Sequence, residues 1–271
     1  MNKTAIGLAI VASLALATAL GAQATAANSN PTGSAKPAAS KPRIVLVHGA
    51  FADASSWNGV VGILRRDGYT VIAAANPLRG VHSDGQYIGQ LVASLDGPVV
   101  LVGHSYGGSV ITDAANGHAN VKSLVYVSAF SPERGESAAA LSGKFPGSTL
   151  GPTLAAPVPL ADGGKDLYIQ QDKFPAQFAA DVPKAQAALM AATQRPITEA
   201  ALNEASGTPS WKTLPSWHVY GSADLNIPPQ AMAFMAQRAH ARDTKVVAGA
   251  SHVVMVSHPN EVARVIEEAA K

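Results

Sequence analysis

Six short apolar runs, separated by segments of helical period, constrain this chain more than any other feature. The runs are Arg43 to Val47, Thr70 to Ala74, Pro98 to Val102, Lys122 to Val127, Ser216 to Tyr220 and Thr244 to Val247. Most are continuous rather than alternating, as expected of strands buried on both faces. Helical patterns lie between them at Trp57 to Arg66, Ser83 to Leu95, Gly108 to Asn116 and Pro228 to His240, and a last one at Pro259 to Ala269. Such alternation implies βαβ units, and right-handed crossovers then gather the strand C-termini along one edge. The expected fold is α/β, a doubly wound and mainly parallel sheet of about six strands. One interval breaks the rhythm: nothing strand-like recurs between Val127 and Ser216. That interval holds Gly151-Pro152, Gly163-Gly164 and helical patterns at Ala179 to Thr193 and Thr198 to Ala205. Leaving the sheet at its C-terminal edge, it is expected to be a helical lid over a site. The core is expected at residues 43–130 and 215–271, and the lid at 131–214.

Gly103-His104-Ser105-Tyr106-Gly107 follows the third run and precedes a helix. A serine on a tight strand-to-helix turn projects its hydroxyl clear of the backbone. The flanking glycines permit the turn, and the helix N-terminus offers free N–H groups to an oxyanion. A serine hydroxyl is a poor nucleophile at neutral pH. It needs a base within reach, and the base needs an orienting acid. The chain order for such a turn is serine, acid, histidine. Gly221-Ser222-Ala223-Asp224 follows the fifth run, and Gly249-Ala250-Ser251-His252 follows the sixth. Ser105, Asp224 and His252 are therefore expected together at one sheet edge as nucleophile, acid and base.

Taken singly these residues have plainer readings. Asp224 would also serve as a helix cap before Asn226-Ile227-Pro228-Pro229, and Glu133, past the fourth run, is a reserve acid. His104 is expected to pack beneath the turn. His82, His118, His218, His240 and His258 lack partners at metal-ligand spacing, so no metal site is implied. The first run ends Val47-His48-Gly49-Ala50-Phe51, bringing backbone N–H groups toward the serine. The oxyanion donors are assigned to Ala50 and Tyr106, with Phe51 as second choice in the first-strand loop. Phe51, Phe130 and Trp211 are assigned to substrate binding, within an apolar set that includes Phe145, Phe174, Phe178 and Met190.

The 271 residues carry 20 basic and 18 acidic side chains without a dense basic run, which leaves no electrostatic case for a nucleic-acid partner. The chain has no cysteine, so disulfides, thiolate catalysis and cysteine metal sites are excluded. Met1-Asn2-Lys3, the apolar stretch Ala5 to Leu20, and the small-residue sites Ala22-Gln23-Ala24 and Ala24-Thr25-Ala26 have the order of an export signal. Residues 1–26 are expected to be a signal peptide, giving a periplasmic or secreted protein without a stable membrane anchor. Residues 27–42, rich in Ser, Ala, Pro and Lys, are expected to be a disordered linker.

Taken together these residues resemble the α/β-hydrolase superfamily and, within it, the plant methylesterase and hydroxynitrile lyase group with its bacterial esterase relatives. The resemblance runs from Arg43 to the C-terminus, loosely in the lid. It rests on Val-His-Gly-Ala at 47–50, Gly-His-Ser-Tyr-Gly-Gly at 103–108, Ala129-Phe130-Ser131-Pro132, Arg195-Pro196, Asp224 with Ile227-Pro228, and Ser251-His252 with Met255 and Pro259. It implies a six-stranded core and no metal or organic cofactor. Lyases of the group carry Thr after the first-strand His and Lys after the catalytic His, where this chain has Gly49 and Val253. Departing cyanide would have no cationic partner, so the lyase reaction is disfavoured. Dehalogenases of the fold use an Asp nucleophile, which Ser105 argues against. The expectation is an exported serine carboxylesterase that cleaves small or aromatic esters through an acyl-enzyme on Ser105. Lyase, perhydrolase or haloperoxidase chemistry on the same residues, or ligand binding on a hydrolase scaffold, are the alternatives.

Overall fold

The computed structural model describes residues 41–271. The expected signal peptide at 1–26 and all but the last two residues of the linker at 27–42 lie outside the described residues. In chain order the strands are β1 (Arg43–Val47), β2 (Val71–Ala74), β3 (Val99–His104), β4 (Val121–Val127), β5 (Val158–Pro159), β6 (Lys165–Leu167), β7 (Ile197–Thr198), β8 (Ser216–Gly221) and β9 (Asp243–Val247). The helices are α1 (Asn58–Arg66), α2 (Val81–Ala93), α3 (Tyr106–Ala114), α4 (Ala138–Gly143), α5 (Phe174–Phe178), α6 (Lys184–Thr193), α7 (Glu199–Asn203), α8 (Pro229–Arg238), α9 (Val254–Ser257) and α10 (Pro259–Ala269).

The six expected strands form one parallel sheet in the order β2-β1-β3-β4-β8-β9. All six residues of β3 are buried, which is why that segment reads as a continuous apolar run. α1 and α10 pack against each other on one face, and α2 and α3 pack together on the other. α1 and α10 each bury one stripe: Val60 and Leu64 from α1, and Val262, Val265 and Ile266 from α10. Val47 lies opposite Gly103, and Gly103 opposite Tyr126, so β1, β3 and β4 end nearly level. The reversal of strand order beside β1 opens a crevice at that edge, where α/β sheets bind ligands.

Two expectations need correction. The interval between β4 and β8 is not free of strands: β5, β6 and β7 form a three-stranded antiparallel sheet. Its strands have two or three residues each, too few for an alternating pattern to show. The helix expected at Ala179 to Thr193 forms only as α6, and Ala179 to Pro183 part it from α5. Pro183 disfavours helical backbone at Val182 and has no N–H to donate, so α6 starts after it. α7 is likewise shorter than expected, with the Thr198 hydroxyl capping it by accepting from Ala201 N at 3.1 Å. Among the described residues no helix is long and apolar enough to cross a membrane.

Candidate active site

Ser105 alone makes the turn between β3 and α3. Its backbone sits at φ 53° and ψ −124°, a left-handed conformation that non-glycine residues rarely adopt. Three hydrogen bonds hold it there. Ser105 N donates to Val127 O at 3.2 Å, and its carbonyl accepts from Gly108 N at 2.9 Å and Phe130 N at 3.2 Å. The turn is tight enough that a Cβ on Gly103 would come within 2.5 Å of Gly107 O, and one on Gly107 within 2.5 Å of Val47 O.

The loop after β1 is fixed by a buried histidine. His48 donates from Nδ1 to Gly49 O at 2.9 Å and accepts at Nε2 from Asn76 N at 3.0 Å. Asn76 Nδ2 returns a bond to His48 O at 2.9 Å. Burial lowers the pKa of His48 to about 4, and the bond from Asn76 needs the unprotonated Nε2. A Cβ on Gly49 would meet Ser105 Cβ at 2.6 Å and His104 O at 2.7 Å. Gly49→Ala is therefore expected to destabilise the fold by about 1–3 kcal/mol and to displace Ser105. Thermal melts together with a kinetic assay would show both losses, and an unperturbed variant would refute the close approach.

The two candidates for the first-strand oxyanion donor separate cleanly. Phe51 N–H is already engaged by Arg195 O at 2.9 Å. Among the described residues the amides of Ala50 and Tyr106 meet no acceptor, and both residues flank Ser105 at the cavity wall. The Tyr106 side chain is anchored by its hydroxyl, which donates to Asp84 Oδ2 at 2.9 Å. Asp84 is fully buried and also accepts from Arg79 N at 3.1 and 3.2 Å. Burial raises the pKa of Asp84 and, together with the neighbouring carboxylate, that of Tyr106.

Asp224 and His252 meet after β8 and β9. His252 Nδ1 lies 2.7 Å from Asp224 Oδ2, and both residues are almost fully buried. Asp224 Oδ1 accepts from the amides of Asn226 at 2.8 Å and Ile227 at 3.0 Å. His104 packs against the His252 ring with centroids 4.8 Å apart, and its Nε2 lies 3.2 Å from His252 O. Burial, with His252 adding to it, holds the pKa of His104 well below the ordinary range. Ser105 and His252 face the same cavity, and no hydrogen bond joins them among the described residues.

That cavity has a volume of about 250 Å³. Of the residues expected at the site, Ala50, Phe51, Ser105, Tyr106, Phe130 and His252 line it, and Asp224 stands behind His252. Trp211 does not. Its Nε1 donates to Pro132 O at 2.8 Å and Arg238 lies over its ring, so its amphipathic side chain braces the base of the insertion instead. Glu133 pairs with Lys212 at 2.8 Å and stands apart from His252. The sequence reading missed most of the wall supplied by the insertion, including Ala138, Ala139, Leu150, Leu154 and Leu202. Among the described residues no Asp, Glu, Lys or Arg lines the cavity. Among the described residues no group of three His, Cys, Asp or Glu side chains is arranged to hold a metal ion.

Comparison with known proteins agrees with this architecture. The model of the alpha/beta hydrolase family matches residues 44–265, and the chain belongs to that family. A carbendazim hydrolyzing esterase of Nocardioides sp. (strain SG-4G) is 37% identical over 110 residues, covering 36% of this chain and 46% of that protein. The match thus spans just under half the length of that relative. Polyneuridine aldehyde esterase superposes with a TM-score of 0.74 at 19% identity, over 85% of this chain and 100% of the other. An extracellular alpha/beta-hydrolase from a Paenibacillus species gives 0.67 at 22%, over 85% and 99%. Tomato methylketone synthase I gives 0.71 at 21%, again over 85% and 99%. The neighbours thus include the methylesterase-like group that the sequence resembles.

Proposed function

We propose that this protein is a serine hydrolase that cleaves small, uncharged carboxylic esters through an acyl-enzyme on Ser105. The observation that carries the reading is a strained Ser105 at the N-terminus of α3, sharing an uncharged cavity with a His252 bonded to Asp224. In this mechanism His252 Nε2 takes the Ser105 proton as Oγ attacks the acyl carbon. Asp224 holds the Nδ1–H tautomer and stabilises the imidazolium. The amides of Ala50 and Tyr106 bind the developing oxyanion, each contributing roughly 3 kcal/mol. His252 then protonates the departing alcohol. Water, deprotonated by the same ring, releases the acid and restores Ser105.

The names of the esterases that this chain resembles support ester chemistry, and the apolar wall supports a neutral substrate. The insertion acts as the lid of the cavity, and residues 1–26 direct export. Cyanohydrin cleavage is not supported: Gly49 leaves no room for a side chain, and the residue after His252 is the buried Val253 rather than a cation. Hydrolysis of p-nitrophenyl esters from acetate to octanoate, by the wild type and Ser105→Ala, tests the proposal. Turnover should vanish in the variant, and a fluorophosphonate should label only the wild type. A wild type no faster than Ser105→Ala across the series, and unlabelled, would sink it.

A further inference from the structure

A five-residue stretch of the insertion, Gln177 to Asp181, reaches both partners of Ser105. On the acid side, the Gln177 side chain is 4% exposed and makes three hydrogen bonds. Its Oε1 accepts from Thr149 Oγ1 at 2.8 Å, and its Nε2 donates to Leu225 O at 2.9 Å and to Asn226 Oδ1 at 3.0 Å. Leu225 and Asn226 belong to the turn whose amides hold Asp224 Oδ1. On the base side, the Phe178 ring stands 5.0 Å from the His252 ring, steeply inclined to it. Asp181 Oδ1 is hydrogen-bonded to the hydroxyl of Ser251, the residue before His252, and that hydroxyl lies 3.4 Å from Phe178 O. His258 Nδ1 lies 3.5 Å from Asp181 Oδ2.

We propose that the stretch Gln177 to Asp181 positions the Asp224–His252 pair, so that proton transfer at Ser105 depends on the insertion being seated. The proposal rests on the reading of these three residues as a hydrolytic set. Gln177 and Asp181 are positioning residues and touch no reacting atom. The physical argument is one of satisfied buried groups. Without the Gln177 amide, Leu225 O loses one hydrogen-bond donor and Asn226 Oδ1 another, in a buried site where unmet acceptors are costly. The turn then relaxes toward solvent and takes with it the two amides on Asp224. Without Asp181, the Ser251 hydroxyl keeps only the longer contact to Phe178 O at 3.4 Å, and the backbone leading into His252 is held less firmly. The titratable groups facing the stretch are His104 and His252 at Phe178, His258 at Asp181, and Asp224 through the Asn226 turn.

The test uses the full protein and the variants Gln177→Ala, Asp181→Ala and Asp181→Asn. With p-nitrophenyl acetate, the two alanine variants should lose about tenfold or more in kcat, with KM within about twofold, because small misplacements of reacting groups are costly. The acid limb of the pH profile of kcat/KM should move. The low-field proton NMR signal of the His252 Nδ1–H bonded to Asp224 should shift or broaden. Asp181→Asn keeps an acceptor for Ser251 and should restore at least half of what Asp181→Ala loses. An unchanged kcat, or a loss that only follows the folded fraction with profile and proton signal unmoved, overturns the proposal. Fluorophosphonate titration of the wild type separates the two levels. An unlabelled Ser105 defeats the hydrolase reading itself, while the proton signal reports on positioning without any turnover.

Discussion

Asp224→Asn is expected to lower kcat about 10⁴-fold while the protein stays folded, the scale of effect when the acid of a Ser-His-Asp set becomes an amide. The reason lies in which atoms each oxygen serves. Oδ1 accepts from Asn226 and Ile227, and an asparagine oxygen placed there keeps both bonds. The amide nitrogen must then face His252 Nδ1 across the 2.7 Å now spanned by a carboxylate oxygen. A donor at that place forces Nδ1 to accept. The ring proton moves to Nε2, and the base can no longer take the proton of Ser105. The measurement is kcat on p-nitrophenyl acetate beside a thermal melt. A loss below tenfold in a folded variant would show that Asp224 does not set the tautomer.

The second large effect is on stability. Three buried histidines, His48, His104 and His218, are held neutral chiefly by burial, with pKa values of about 4 for His48 and about 3 for His218 and a clear downward shift for His104. The unfolded chain takes up these protons near pH 6.5, and the folded chain does not. Their contribution is therefore undiminished above pH 6.5 and is lost as pH falls toward the folded values. Each group costs about 1.4 kcal/mol per pH unit across that window, so the three together cost roughly 4 kcal/mol per unit. Against a total stability of about 5–15 kcal/mol, this predicts acid unfolding within about one to four units below pH 6.5. The raised Asp84 has the opposite sign. Its stabilising proton is fully present below the unfolded carboxylate value and lost as pH rises, so it offsets the fall only at the acid end. Urea melts between pH 4 and 8 measure the slope. His218→Phe keeps a ring stacked on Tyr126 and strands no partner, since His218 Nε2 has none among the described residues. It should remove about one third of the slope. A stability constant from pH 7 to 5 would contradict the prediction.

The sheet was legible because burial on both faces writes itself into composition. Runs such as Val99 to Val102 need no partner to be recognised. The edge of the sheet was legible for a related reason. Ser105, Asp224 and His252 each stand just past such a run, and parallel topology sends all the runs the same way. The insertion was opaque because its order comes from contacts distant in sequence. Gln177 looks like any polar helix residue until Thr149 and Leu225 are placed beside it. Asp84 and Tyr106, on different helices, likewise carry no local mark of their bond. Trp211 was placed at the cavity for its aromatic surface, while its indole N–H found an acceptor at Pro132. Phe51 kept its place on the wall and lost its amide to Arg195, a contact that spacing along the chain does not encode.

The uncharged wall of the cavity bears on how a catalytic cycle ends. Ester cleavage turns a neutral guest into a carboxylate and an alcohol. In the proposed reaction the carboxylate would arise in a chamber that no Lys or Arg lines among the described residues. Holding an anion there without a counterion costs several kcal/mol relative to water, so the acid is driven out as soon as it ionises. On the proposed ester cleavage, the same wall that would admit a neutral ester would eject its anionic product and clear the site for the next molecule.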